Sequence, residues 1–192
     1  MPYPNFIQMS EEDLYAIVAY IRTLKPIENE VGEKELDFPV NYIVKTLPLD
    51  SYKPHKAPEK TDMKAYGKYL VTIASCNDCH TQSKDGEPIA GMEYAGGSSI
   101  DLPFGTIRSA NITPDVETGI GAWTKEQFIQ RFKSMATDQV KNMEVQPGSF
   151  NTIMPWTMYG GMTEEDLGEM YEYLQSLKPV KNMVVNFTPA KT

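Results

Sequence analysis

Cys76-Asn77-Asp78-Cys79-His80 is the run on which the reading of this chain turns. Two thiols three positions apart, followed at once by an imidazole, have the spacing at which a polypeptide bonds haem covalently. On a turn or a helix end, both sulfurs can add to the two vinyl groups of one porphyrin. The histidine then lies under the iron, where its Nε2 can serve as an axial ligand. Its other ring nitrogen is expected to donate to a backbone carbonyl, which fixes the tautomer and strengthens the ligand. Two other chemistries fit less well. A thioredoxin-like redox dithiol calls for a βαβ setting that the flanking sequence does not offer. A zinc site would draw on Cys76, Cys79, His80 and His55, and a histidine directly after the second cysteine is poor spacing for a tetrahedral ion. Both cysteines of the chain fall in this one run, which argues against a chance match.

The composition leaves room for one or two small domains in 192 residues, with an apolar share of 41%, enough for a core. Net charge is −8, from 18 basic and 26 acidic side chains, and no Lys/Arg cluster breaks the pattern. That balance argues against nucleic acid and against an anionic membrane surface, and for solubility or a partner with a basic docking face. No run is long enough to be a membrane span. The opening Met1-Pro2-Tyr3-Pro4 has neither a basic n-region nor an apolar h-region. Covalent haem attachment resembles a process carried out outside the cytoplasm. The expected location is therefore the periplasm or the outer face of the cytoplasmic membrane, with the export signal lying outside this chain.

An internal repeat frames the motif. Residues 1–31 and 154–184 align without a gap, with 13 identical positions, where chance gives about two at roughly 6% identity per position. Glu11-Glu12-Asp13-Leu14 matches Glu164-Glu165-Asp166-Leu167, and Leu24-Lys25-Pro26 matches Leu177-Lys178-Pro179. Leu14, Ile17, Val18, Ile21 and Leu24 correspond to Leu167, Met170, Tyr171, Leu174 and Leu177, at helical spacing. Ser10-x-x-Asp13 and Thr163-x-x-Asp166 resemble capping boxes with Asp in place of Glu. The acidic pairs fit as charges matched to helix N-termini rather than as catalysts. One such repeat without the rest reads as the end of a domain whose beginning is missing. The first stripe should then pack on the intact domain, on another chain, or on an upstream segment.

The expected organisation follows: a C-terminal remnant over 1–31, a connector over 32–60, a complete domain over 61–181 and a polar, loose tail over 182–192. The connector carries Pro39, Pro48, Pro54 and Pro58, with His55 as a solvated linker residue. In the complete domain, Thr61 or Asp62 caps a helix that buries Met63, Tyr66, Leu70 and Ile73. Gly67 lies in mid-helix, where it costs about 1 kcal/mol relative to Ala, and is read as the place where another helix crosses closely. Gly86 to Gly97 is rich in turns. Thr124, with Gln127 at N3, caps a third helix faced by Phe128, Phe132 and Met135. Residues 138–153 are irregular.

Haem iron held by His80 has one axial position left, and a soft thioether there suits a one-electron carrier. Met154 is favoured, because the proline after it fixes a loop shortly before the final helix and because it recurs in the repeat as Met1. Met158, Met162 and Met143 stay open as alternatives. Gap filling is the usual role of a methionine.

Together, Cys76-x-x-Cys79-His80, Met154-Pro155 and the last amphipathic helix resemble a class I c-type cytochrome. The run Pro103-Phe104-Gly105-Thr106-Ile107, Asn111-Ile112-Thr113-Pro114-Asp115, Thr118-Gly119-Ile120-Gly121 and Trp123 is more specific. It resembles the dihaem and multihaem cytochrome c subunits of membrane-bound alcohol- and gluconate-type dehydrogenases. The resemblance implies a mostly α fold, a cytochrome c-like helical haem domain with long irregular loops, preceded by the last helix of an incomplete second such domain. It implies that the first and last helices cross near Gly67 and Tyr171 or Tyr173. It further implies that Pro103 offers the carbonyl to His80 and that Trp123 or Arg108 sits near the haem propionates; a core aromatic and a solvated charge are the plainer roles of those two.

The expected function is electron transfer by one covalently attached haem c, with His80 and Met154 as the metal ligands. The expected partners are redox proteins: a dehydrogenase, an oxidase or other cytochromes. An upstream haem domain or another chain is expected to cover residues 10–25. A haem enzyme or gas sensor with a labile sixth ligand is the alternative, and a zinc-binding interaction module a third reading. No nucleophile–base constellation suggests a catalyst of any other kind.

Overall fold

The computed structural model describes residues 3–33, 35–46, 51–146 and 149–190. Met1 and Pro2, which open the repeat, and Pro48 of the connector lie outside the described residues. The chain is mostly helical with a few short strands, and divides into two compact units, Met1–Ala57 and Pro58–Thr192.

The first unit contains α1 (Tyr3–Phe6), α2 (Glu11–Thr23) and α3 (Val40–Ile43). Ser10 caps α2, its Oγ accepting from the Asp13 amide at 3.1 Å and donating to the Asp13 carboxylate at 2.9 Å. Three acids, Glu11, Glu12 and Asp13, occupy the first turn, the end at which the helix dipole favours them. No residue of α2 is buried: Leu14, Ile17, Val18 and Ile21 are 37 to 56% exposed. The connector is more structured than its prolines suggest, since α3 continues into a short 3₁₀ turn, Val44–Thr46. His55 also departs from the solvated linker residue expected. It is exposed, yet its ring nitrogens lie 2.9 Å from the Lys53 carbonyl and 2.8 Å from the Gln8 carbonyl. Its own carbonyl accepts from the Glu11 amide at 3.0 Å, so the end of this unit folds back onto the entry to α2.

The second unit runs α4 (Met63–Ile73), α5 (Cys76–His80), β1 (Ser83–Lys84), β2 (Glu87–Pro88), β3 (Ser99–Leu102), β4 (Gly105–Arg108), α6 (Lys125–Lys133), α7 (Asp138–Lys141), α8 (Trp156–Tyr159), α9 (Glu164–Gln175) and β5 (Phe187–Pro189). Side chains start the three long helices: Asp62 accepts from the Ala65 amide and Thr163 from the Asp166 amide. Thr124 and Gln127 close a reciprocal capping box. The core forms where α4 and α6 pack on α9, from Leu70, Val71, Phe128, Phe132, Leu167 and Leu174. Gly67 is what lets α4 and α9 approach. A Cβ there would stand 2.0 Å from the Glu169 carbonyl oxygen and 3.1 Å from Cβ of Tyr173, a tolerance no other residue has.

Three sequence expectations change. The buried face of α4 is Gly67, Tyr69, Leu70 and Val71, with Met63 52% exposed, because the crossing at Gly67 turns that side toward α9. Residues 182–190 are not a loose tail, and 191–192 lie outside the described residues: β5 pairs antiparallel with β4, which pairs antiparallel with β3, in the order β3-β4-β5. Ile107 opposite Phe187 supplies the apolar contact that makes this worthwhile. Residues 138–153 also include one ordered turn, α7, capped by Thr137.

Candidate haem site

The chain enters the motif through Ser75, whose φ of +56° is left-handed, an uncommon conformation for a residue with a Cβ. This breaks α4 from α5 and begins a single helical turn carrying Cys76, Cys79 and His80. Spacing of three and four on a helix puts all three side chains on one side. Cys76 and Cys79 are free thiols, the first half-buried and the second exposed. Burial pushes the Cys76 thiol up to about 12 and raises Cys79 as well.

His80 is 9% exposed, and its Nδ1 lies 2.7 Å from the Ala110 carbonyl. A carbonyl can only accept, so Nδ1 carries the proton and Nε2 keeps its lone pair for a metal. Burial, partly offset by the Ala110 bond, lowers the His80 pKa and favours that neutral ring. The acceptor is thus Ala110 and not Pro103, which is exposed in the turn between β3 and β4. The reason is tertiary. Ala110 is followed by Asn111, a buried side chain that donates to Thr118 Oγ1 at 3.0 Å and to the Val180 carbonyl at 2.8 Å. Asn111 Oδ1 accepts from both the amide and the hydroxyl of Thr113. Asp115 in turn accepts from the amide and hydroxyl of Thr118. The Asn111–Gly121 run is therefore a self-bonded loop that holds one carbonyl over the histidine.

The other wall of this arrangement is Gly96. It has φ +72°, its amide donates to the His80 carbonyl at 2.7 Å, and a Cβ there would lie 2.4 Å from the Ala110 carbonyl. Asn182 anchors the same strip by donating to the Ala95 carbonyl at 2.9 Å. Thr81 joins in by donating to Asn77 and accepting from the Tyr94 amide. Sequence reading did not pick out Ala110, Gly96 or Asn182. Only Asn182 left a signal, its identity with Asn29 in the repeat.

The Met154 arm reaches the motif through Tyr159, on α8 just past Met154-Pro155. Its hydroxyl donates to the Ala74 carbonyl at 2.8 Å, immediately upstream of Cys76. Burial beside the two cysteines raises the Tyr159 pKa to about 12. Met154 is half-buried, its amide bonded to Thr152 Oγ1 at 3.0 Å, whereas Met158 is 75% exposed and Met143 62%. Trp123 is 36% exposed rather than a core aromatic, and its carbonyl accepts from the Tyr171 hydroxyl at 2.6 Å. Arg108 is not a freely solvated charge. Its Nη1 donates to the Val185 carbonyl and Thr188 Oγ1, beside a groove of about 400 Å³ shared with Gln82, Gly97 and Asn182.

The donor set fits haem c. Two thiols and an imidazole share one side of a helical turn, and the imidazole is oriented with its ligating nitrogen available. Among the described residues no three or more of His, Cys, Asp and Glu converge as a metal cage, which counts against the zinc reading. No family model matches the chain. It is 35% identical to the fructose dehydrogenase cytochrome subunit of Gluconobacter japonicus over 115 residues, 59% of this chain and 21% of that protein. It is 34% identical to the gluconate 2-dehydrogenase cytochrome c subunit of Pantoea cypripedii, over 59% of this chain and 23% of that one. A third relative is the cytochrome c subunit of the quinone alcohol dehydrogenase of Gluconacetobacter polyoxogenes, 27% identical over 98% of this chain and 42% of its own length. The chain resembles dehydrogenase cytochrome c subunits. It spans less than half the length of each of these three. Among the described residues no helix is long and apolar enough to cross a membrane.

Proposed function

We propose that the chain is a one-electron carrier holding one haem c, bonded through Cys76 and Cys79, with His80 and Met154 as the axial ligands. The observation that carries this is the Nδ1 bond from His80 to the Ala110 carbonyl, which commits one ring nitrogen and would leave the other free to ligate iron. When bound, haem supplies the single-electron redox couple, and a filled coordination sphere leaves no vacancy for oxygen or peroxide chemistry. The protein's part is to hold and shield. Gly96 and the Asn111–Gly121 loop keep His80 from turning. Tyr159 ties the Met154 arm to the motif. The exposure of Met158 and Met143 favours Met154 over those two, while Met162 is half-buried like Met154. Arg108 and Trp123 are the proposed residues at the propionate side.

The relatives' names support a place beside a dehydrogenase; a respiratory acceptor such as an oxidase or another cytochrome is our proposal for the other side. We place the protein in the periplasm or on the outer face of the cytoplasmic membrane. The exposed α2 stripe supports cover of residues 10–25 by an upstream haem domain or another chain.

Exported, matured protein tests this directly. A pyridine haemochrome spectrum and mass spectrometry should show one thioether-bonded haem. The reduced spectrum should not respond to carbon monoxide at neutral pH, should respond in Met154→Ala, and should stay silent in Met158→Ala. A carbon monoxide response in the unmodified protein would replace the carrier reading with that of a sensor or enzyme. Zinc without visible absorption would end both.

A further inference from the structure

Away from the motif, one buried carboxylate has an oxygen with no hydrogen-bond partner. Glu169 on α9 is 5% exposed, and its Oε2 makes no hydrogen bond. The residue lines a groove of about 560 Å³ together with Lys60, Met63, Lys125, Ile129 and Glu165. A carboxylate removed from water is costly unless a cation or donor meets it. Two cations stand nearby, but both are already engaged: Lys60 with Asp166 at 3.1 Å and Lys125 with Glu172 at 2.8 Å. The groove thus retains three carboxylates, Glu164, Glu165 and Glu169, with no ion pair among the described residues. Burial raises the Glu169 pKa, with Lys60 and Lys125 opposing the shift and Asp166 and Glu165 adding to it.

The shape says which cation is wanted. A bare metal ion needs several ligands converging on one point, and no such cluster is present among the described residues. The lining is instead partly apolar, with Met63 52% exposed and Ile129 beside it in the groove. Gly168 lies buried beneath, where a Cβ would meet Lys125 Cε at 3.2 Å and Ile129 Cδ1 at 3.7 Å, so the stems of those two side chains cover it. An apolar slot ending in a carboxylate suits a long aliphatic stem with a charged head. We propose that this groove receives an arginine or lysine side chain from a partner protein, its head group donating to Glu169. The net charge of −8 draws such a basic surface in, and the proposal holds whether or not the electron-transfer reading does.

The test uses the full matured chain, labelled for NMR, and the capped tripeptide Gly-Arg-Gly, with Gly-Gln-Gly as the uncharged control. Shifts should concentrate at Lys125, Ile129, Gly168 and Glu169 with the arginine peptide only, and should shrink as salt is raised. Glu169→Gln should weaken binding about tenfold, the loss expected for one charge-assisted hydrogen bond. Ile129→Ala, which removes apolar lining without changing charge, should weaken it as well. It also decides the matter if Glu169→Gln does not fold. Shifts spread over the acidic surface, or equal binding by both variants, would overturn the proposal. So would Mn²⁺ broadening centred on Glu169 with no effect of the peptide, which would mark a cation site instead.

Discussion

At the scale of single residues, the site depends on a glycine that carries no chemistry. Gly96 combines a left-handed φ of +72° with a missing Cβ that would overlap the Ala110 carbonyl at 2.4 Å. Gly91 has a similar φ of +82° but open space around it. Gly91→Ala should therefore cost about 1 kcal/mol, the conformational part alone. Gly96→Ala adds displacement of the His80 acceptor and should cost about 3 kcal/mol or more in denaturant unfolding. Equal losses would mean that the close approach is not real. His55 supplies a second prediction. Its two ring nitrogens face two carbonyls, and a neutral imidazole has one N–H, so only the imidazolium satisfies both. The Lys53 and then the Gln8 carbonyl raise its pKa. Tyr52 beside the ring, Glu11 bonded to its carbonyl, and its neighbours Lys53 and Lys56 are the ionisable groups around it. With the folded pKa above the unfolded one, this stabilisation is complete below the unfolded pKa of about 6.5 and is lost as pH rises through the folded value. An NMR titration of His55 should give a midpoint above that of a free histidine, and His55→Gln should remove the corresponding pH dependence. The sequence shows Cys76, Cys79 and His80 plainly, because their spacing is local. Ala110 is illegible there, since an alanine contributes only a carbonyl and its partner lies 30 positions away.

At the scale of elements, caps and periodicity were legible and burial was less so. Thr124 with Gln127, Ser10 and Thr163 all cap where the sequence says they should, because a cap is decided within four residues. The crossing of α4 and α9 was also readable from Gly67, a helix breaker in an otherwise good helix. Of its partners, Tyr173 was one of the two the resemblance implied, while Glu169 was not foreseen. Gly67→Ala tests which effect dominates. Helix propensity alone would favour alanine by about 1 kcal/mol. The overlap with the Glu169 carbonyl at 2.0 Å involves backbone, which cannot move aside cheaply. A net loss of about 2–4 kcal/mol is expected in thermal or urea unfolding. A gain in stability would show that the helices can part without penalty. Residues 182–192 read as polar and loose because their pairing partner, β4, lies far back in the chain, at Gly105–Ile107.

At the scale of the whole molecule, the repeated helices behave differently in the two units. Leu167 is fully buried, while its counterpart Leu14 is 37% exposed. Leu167→Ala should cost about 3 kcal/mol, and Leu14→Ala well under 1 kcal/mol, in unfolding of the chain as given. A comparable cost at Leu14 would show that something does cover α2. The second unit holds the motif, Met154 and the packed core within residues 58–192. Expressed alone with an export signal, it should keep its helical circular dichroism and bind one haem. Loss of haem in that fragment would mean that the first unit completes the site.

The sequence alone determined what depends on neighbours along the chain: two thiols and an imidazole in one turn, the caps, the helical stripes and the duplication. The tertiary structure decided which carbonyl holds His80, which side of α4 is covered, that the last strand joins the sheet, and that Glu169 is buried with one oxygen unbonded. The physical reason is visible in the two copies of one pattern. An amphipathic stripe states only that a surface is apolar, and burial requires a second surface, which α4 and α6 provide for α9.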